Sequence, residues 1–217
     1  DTVSLQASGL VADVLQQKGL EINFSGEYSR DRENGPPQVL TGIDTSNPFS
    51  MPSIYNTFFS NTGTFNPLTC FNAANTTNPS CYNNQWIDPD KKTNSGTGPS
   101  YADLDVWGTS LTIDWDISEN LHLRSISSYR RSDGEFAIDR DSSPFTITNV
   151  LDLFEQEQVT QELQLLGDAF DNKLEWILGF YYFQEEGADI NPVEFSAVSL
   201  TSGIDFESES LAIFGQG

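Results

Sequence analysis

Residues 107–117 read WGTSLTIDWDI. Trp107, Thr109, Leu111, Ile113, Trp115 and Ile117 fall on one side of an extended chain. Gly108, Ser110, Thr112, Asp114 and Asp116 fall on the other. Successive side chains of a strand point to opposite faces, so this two-residue period predicts a strand with one apolar and one polar face. The segment 19–31 repeats it, with Leu20, Ile22, Phe24, Gly26 and Tyr28 set against Glu21, Asn23, Ser25, Glu27 and Ser29. In 174–183, Leu174, Trp176, Leu178, Phe180 and Tyr182 share a face, opposite a mixed set that includes Tyr181. In 159–166, Val159, Leu163 and Leu165 alternate with Thr160, Glu162 and Gln164, although Gln161 lands on the apolar side.

These segments pair across short turns. Strands near 2–14 and 19–31 flank Gln16-Gln17-Lys18, those near 101–117 and 121–136 flank Ser118-Glu119-Asn120, and those near 155–167 and 173–186 flank 168–172. A last strand runs from about 206 to the end. Such spacing predicts hairpins. The other connections, near 33–100, 137–154 and 187–205, read as long. Long and short connections therefore alternate. Outer-membrane barrels sort their loops in this way, with short periplasmic turns and long extracellular loops. A soluble sandwich has no reason to.

Composition points the same way. Apolar residues make up 37%, below the usual ~45–50%, yet 12% are aromatic, which a disordered chain would lack. A net charge of −22 leaves nothing to neutralise phosphates and argues against nucleic acid as a partner. No run of apolar residues is long enough for a transmembrane helix, so a membrane reading has to be a β reading. The first residues do not read as a signal peptide, and Asp1 reads as lying within a strand. Trp115 and Trp176 lie beside short turns, while Tyr101, Trp107, Tyr129, Tyr181 and Tyr182 lie toward the long connections. Two aromatic girdles flanking an aliphatic band mark a strand that crosses a bilayer, and Trp107, Trp115, Tyr129, Trp176 and Tyr182 are the candidate girdle residues. The step from Trp107 to Trp115 covers roughly 26 Å of strand, or roughly 19 Å of membrane normal at a ~45° tilt, somewhat short of the ~25 Å band.

Cys70 and Cys81 sit in a stretch rich in Asn, Thr and Pro. One loop-stapling disulfide is the reading, which implies an oxidising compartment. The sequence holds no Gly-rich phosphate loop, GxSxG, CxxC or HExxH, so it predicts no enzyme and no cofactor. His122 is the one histidine. It shares the polar face of its strand with Arg124 and Arg130, and these three are the candidate lumen or ligand-contact residues. Inside a barrel, such arginines pair with carboxylates of the wall, or reach an anionic substrate. Asp133, Glu135, Asp139, Arg140 and Asp141 cluster at a strand end. Their spacing matches no cation loop, and they read as solvated charge rather than a metal site. Glu155, Glu157, Glu162 and Glu175 read as lumen or rim charges.

Three stretches carry a resemblance: LTIDWDISENLHLRSISSYRRSDGEFAIDRDSSP (111–144), QVTQELQLLGDAFDNKLEWILGFYYFQEE (158–186) and ESLAIFGQG (209–217). They resemble the barrel of TonB-dependent outer-membrane receptors. In that family an "xLTxxSxxxYR"-like strand precedes an extracellular loop, a "SQELQLxG…W…GxYYF" hairpin follows, and an "AxFGQ"-like strand comes next. Here these are Leu121 to Arg130, Thr160 to Phe183 and Ala212 to Gln216. The resemblance is weaker over 1–32 and absent over 33–100.

It implies an all-β fold: an antiparallel up-and-down transmembrane β-barrel, present in part. Residues 1–217 would supply about seven strands of a larger barrel of about 22, with a long extracellular loop at about 33–100. The family's plug domain does not appear in these residues. Because lipid does not tolerate unpaired strand edges, a longer parent chain is expected. The implied function is active uptake of a scarce nutrient across the bacterial outer membrane, energised by TonB through the plug. Its partners would be outer-membrane lipid and a small-molecule substrate such as a metal chelate. Siderophore-bound iron is the commonest substrate class; vitamin B12, haem and glycans are others. The competing expectations are a soluble secreted β-sandwich that binds a partner or glycan through Phe58, Phe59, Tyr82 and Trp86, and a passive porin-like channel.

Overall fold

The period-two segments become strands that pair in the order in which they occur. The structure, a computed structural model, describes residues 2–10, 19–36, 38–44, 46–60, 67–72, 77–171, 173–196 and 198–217. Strands β1 (Thr2–Leu10), β2 (Leu20–Glu33), β3 (Tyr101–Ser118), β4 (Leu121–Asp139), β5 (Thr148–Ala169), β6 (Leu174–Phe195) and β7 (Val198–Gln216) form one antiparallel sheet with each strand beside its sequence neighbour. The sheet is open, with β1 and β7 at its edges. A short helix, α1 (Met51–Phe58), and 3₁₀ turns at Pro67–Phe71 and Asn84–Trp86 lie in the connection from β2 to β3. No helix among the described residues is long and apolar enough to cross a membrane, which says nothing about strands.

The expected turn at 16–18 lies outside the described residues. Gly19 just beyond it takes φ 79°, and its carbonyl accepts the Asp116 N–H at 2.8 Å. A side chain there would collide with Asp116, since an added Cβ would lie 2.6 Å from the Asp116 Cβ. Ser118 and Leu121 close the β3–β4 hairpin after a bulge at Ile117. In the β5–β6 turn, Phe170 and Asp171 adopt left-handed φ of 57° and 55°. The two turns are tied together: the Asn120 amide donates to the Asp168 carboxylate, and the Asp168 N–H to the Asn120 carbonyl at 3.2 Å.

At the other end, two of the three connections expected to be long are not. The β4–β5 connection shrinks from 137–154 to 140–147, and the β6–β7 connection from 187–205 to the two positions between Phe195 and Val198. The strands run on instead. Their extensions, such as EEGADINPVEF at 185–195, mix charged, small and apolar residues on both faces and so lack the apolar alternation that marks a strand. Backbone pairing to neighbours already in register carries them outward. The β5–β6 register lapses opposite Pro192, which has no N–H to donate.

Among the described residues, the fully buried side chains do not lie beneath the sheet. Asn56, Cys70, Cys81, Ser143 and Ile147 are all at or below 1% exposure, and all belong to the β2–β3 and β4–β5 connections. These connections pack on each other as a cap over the β4–β5 end. Tyr55, Tyr82 and Trp86 each stack or meet edge-on with Phe145 of the β4–β5 loop. The Ser196 N–H bonds the Ile147 carbonyl at 2.8 Å and ties the β6–β7 turn to the same cap.

Candidate functional site

Directly opposed residues of a sheet share a face, so the register fixes both surfaces. One surface is apolar across the strands. Its rows run Leu20–Trp115–Leu123–Leu165–Leu178, then Ile22–Ile113–Ser125–Leu163–Phe180–Ile213, then Phe24–Leu111–Ser127–Gln161–Tyr182–Leu211. No other sheet or helix among the described residues packs against this band. Leu178 is 52% exposed, Leu211 62% and Ile213 72%.

Gln161 does fall within the band. It stands opposite Ser127, accepts that hydroxyl's hydrogen at 2.5 Å, and donates to the Ser125 hydroxyl at 3.1 Å. Gln161 and the two serines thus satisfy one another within the apolar band.

Aromatic residues mark the edges of the band. Trp107, Trp115, Tyr129, Trp176 and Tyr182 all lie on this face. Trp107 and Tyr129 are in contact, with ring centroids 4.9 Å apart. Tyr28, directly opposite Trp107, joins them. Tyr181 does not; it pairs with Glu162 on the polar face. Tyr101 stands well beyond the aromatic row and bonds Glu135.

Past that row the same face turns acidic. Trp107, Arg131, Glu157, Glu186 and Glu207 form one row, and Asp105, Asp133, Glu155, Ala188 and Asp205 the next. Arg131 is a cation among them, and β2 adds Arg30 opposite Asp105 and Arg32, which pairs with Asp105. The Arg131 guanidinium meets Asp133 at 2.7 Å, Glu155 at 3.4 Å and Glu157 at 3.9 Å. Glu157 also accepts the Tyr129 hydroxyl at 2.7 Å.

The opposite surface is polar. His122, Arg124 and Arg130 all lie on it. The wall's own carboxylates take up the first two. His122 bonds Asp116 at 2.8 Å and Asp114 at 3.1 Å, while Arg124 Nε donates to Asp114 at 2.6 Å. Arg130 reaches Glu27 only at 3.9 Å. Glu162 shares this face, whereas Glu155 and Glu157 lie on the other.

The cap is organised around backbone atoms. Cys70 and Cys81 are disulfide-bonded. The Asn83 amide holds the Cys70 carbonyl at 2.9 Å, and the Trp86 indole N–H holds the Cys81 carbonyl at 2.9 Å. Asn56 clamps both backbone groups of Tyr82, donating to its carbonyl at 2.8 Å and accepting its N–H at 2.9 Å. The Tyr82 hydroxyl donates to the Asp141 carbonyl at 3.2 Å. Burial, reinforced by the nearby Asp141 and Asp139 carboxylates, pushes the Tyr82 phenol up to about 12.

Burial also raises the Asp141 carboxyl. Its oxygens accept the Ser143, Ile147 and Thr148 N–H groups at 3.0, 3.2 and 2.8 Å. Asp139 accepts the Asp141, Ser142 and Gly98 N–H groups. The acidic cluster read from 133–141 is thus divided: Asp133 and Glu135 stand on the sheet face, while Asp139 and Asp141 bind amides of the cap. Asp88 likewise closes its own turn. The Thr93 hydroxyl and the N–H groups of Asp90, Thr93 and Lys92 hold its carboxyl down at about 2.

No known protein family matches the chain, and no curated protein matches it.

Proposed function

We propose that the chain is part of the wall of a bacterial outer-membrane β-barrel, and that the barrel belongs to an uptake receptor energised through TonB. One observation carries the first step: an uncovered apolar band, edged by aromatic residues, on one face of a sheet whose other face is polar. Water penalises such a band and lipid stabilises it. Pairing of each strand with its sequence neighbour is the topology of an up-and-down barrel. The protein's hydrophobic core supports the reading too, because it lies in the cap and leaves the apolar band without a protein partner.

The second step rests on the resemblance of 107–217 to TonB-dependent receptors. By that resemblance the cargo is a scarce nutrient such as a ferric siderophore. A plug domain elsewhere in the parent protein contacts TonB, and the cap forms the extracellular gate.

Fractionation of the source cells tests the first step. An antibody to the 33–100 loop should mark the outer-membrane fraction, in a band several times this chain's 24.1 kDa that shifts when the sample is boiled. A soluble band near that mass, unchanged by heat, would favour a secreted sandwich. The second step predicts a plug encoded upstream of Asp1. A parent gene without one would leave a passive porin-like channel.

A further inference from the structure

Asparagine is a chemically labile residue, and least stable before glycine. That pair occurs once in the chain, at Asn34–Gly35. It stands where β2 ends at Glu33 and the connection to the cap begins. The reaction open to it is internal. The Gly35 nitrogen attacks the Asn34 side-chain carbonyl carbon and closes a five-membered ring, and no side chain on residue 35 blocks the approach.

The fold obliges residue 35 to be that small. Gly35 takes φ 71°, in the left-handed region. An added Cβ would lie 2.8 Å from both the Ser100 hydroxyl oxygen and the Tyr101 nitrogen, where β3 begins. The other conditions of ring closure are met too. Asn34 is exposed, so water and base reach it. Gly35 lies past the last β2–β3 pair, Glu33 with Ala102, so the ladder does not hold its N–H. Among the described residues no other backbone group accepts that N–H.

Two comparable sites are held where Asn34 is not. Asn94, before Ser95, is anchored at both ends of its amide. Its nitrogen donates to the Gln38 carbonyl at 2.7 Å, and its oxygen accepts the Gly96 N–H at 3.2 Å. Asp133 also precedes a glycine, and an aspartate there closes the same ring by losing water. Gly134 lies in the ladder between Leu104 and Phe154, however, and the Asp133 carboxylate is held by Arg131 at 2.7 Å.

We propose that Asn34 is a site of spontaneous deamidation, and that the isoaspartate formed there frays the junction between sheet and cap. The Gly35 nitrogen loses its proton and bonds Asn34 Cγ. The Cγ–Nδ2 bond breaks, and the amide leaves with a proton as ammonia. Water then opens the succinimide at either carbonyl, giving aspartate or isoaspartate, and no electron is transferred. Isoaspartate routes the main chain through its own side chain. It lengthens the backbone by one carbon where Gly35 already touches the start of β3, and it sets a new carboxylate beside Glu33. The reaction does not depend on which medium meets the sheet, so it stands apart from the transport reading.

The test ages the full-length protein at neutral and at alkaline pH, folded in detergent and unfolded in guanidinium chloride. Peptide mapping by mass spectrometry follows each site, and electron-transfer fragmentation tells isoaspartate from aspartate. Asn34 should deamidate at nearly the same rate folded and unfolded, and faster at alkaline pH. Folding should slow Asn94 and the isomerisation of Asp133 at least tenfold. An Asn34 slowed by folding as much as Asn94 would overturn the site. Hydrogen exchange of 98–104 should be faster in aged than in fresh protein, and unchanged by age in Asn34→Gln, whose longer side chain closes its ring far more slowly. Equal exchange in aged and fresh protein would overturn the fraying.

Discussion

Leu178 stands directly opposite Leu165 in the register of β5 and β6, and both lie in the uncovered apolar band. In water this pair would be a liability; in lipid it faces its own kind. Leu178→Arg separates the two cases. An outward arginine costs a barrel about 2–4 kcal/mol near the bilayer midplane and about 0–1 kcal/mol near the interfaces. Leu178 shares its row with Trp115 toward one margin of the band, so a cost of about 1 kcal/mol is expected. The variant should therefore lower both the amount reaching the outer-membrane fraction and the urea midpoint of refolded protein in vesicles. A variant that is more soluble and no less stable without detergent would show that the band meets water.

Segments whose two faces differ in polarity were legible in the sequence; segments whose faces are alike were not. From 107 to 117 apolar and polar residues alternate because the two faces of that strand differ, and β3 is found where the pattern puts it. From 187 to 205 no such difference exists. Asp189, Asn191 and Glu194 on β6 and Ser199, Ser202 and Asp205 on β7 are spread over both faces, so the region reads as loop although it is a ladder of paired strands. Candidate residues followed the same logic. Face parity placed His122, Arg124 and Arg130 together and set Tyr181 on the side opposite Tyr182, where the register has it. Tyr28 was missed on the aromatic row because only the register brings it opposite Trp107.

The cap depends on one side chain more than on its helix. Asn56 is fully buried and satisfies both the N–H and the carbonyl of Tyr82. Asn56→Ala would leave two buried backbone groups unpaired, at about 1–3 kcal/mol each. Limited proteolysis should then cut within 77–90 at least tenfold faster, with the gel mobility of the unboiled protein unchanged. Reduction of Cys70–Cys81 should loosen the same region by a comparable amount, about 2–3 kcal/mol on the chain-entropy account. Equal proteolysis rates before and after either change would mean that the aromatic cluster around Phe145 holds the cap alone.

Acid should open a turn before it opens the cap. The Asp88 carboxyl is held at about 2 by the Thr93 hydroxyl and by N–H groups of its own turn. Its folded value lies below the unfolded one of about 3.9, so its contribution is full above that value and is lost as pH falls toward 2. Asp141 behaves in the opposite sense. Burial raises its folded value, so ionisation works against the fold, and its contribution is greatest in acid and declines as pH rises through that value. Carboxyl NMR should give Asp88 a midpoint near 2 and Asp141 one above the ordinary aspartate range. Protection of the Lys92 and Thr93 amides should fall between about pH 4 and 2, and Asp88→Asn should remove that dependence. A normal midpoint for Asp88 would mean that its turn is not held in solution as it is here.

Four tryptophans divide between two environments. Trp107, Trp115 and Trp176 stand on the apolar face at the margins of the band. Trp86 belongs to the cap, its indole N–H on the Cys81 carbonyl and its ring edge-on to Phe145 at 5.9 Å. In vesicles of acyl-brominated lipid, single-tryptophan variants that retain Trp115 or Trp176 should lose most of their fluorescence, because bromine quenches on contact. The variant retaining Trp86 should lose almost none. Trp107 should be quenched less than Trp115, because its row is shared with Arg131 and the glutamates that follow. Equal quenching of all four would reflect non-specific adsorption to the vesicle. Quenching of none would mean that the apolar face never meets lipid, and that another protein surface covers it.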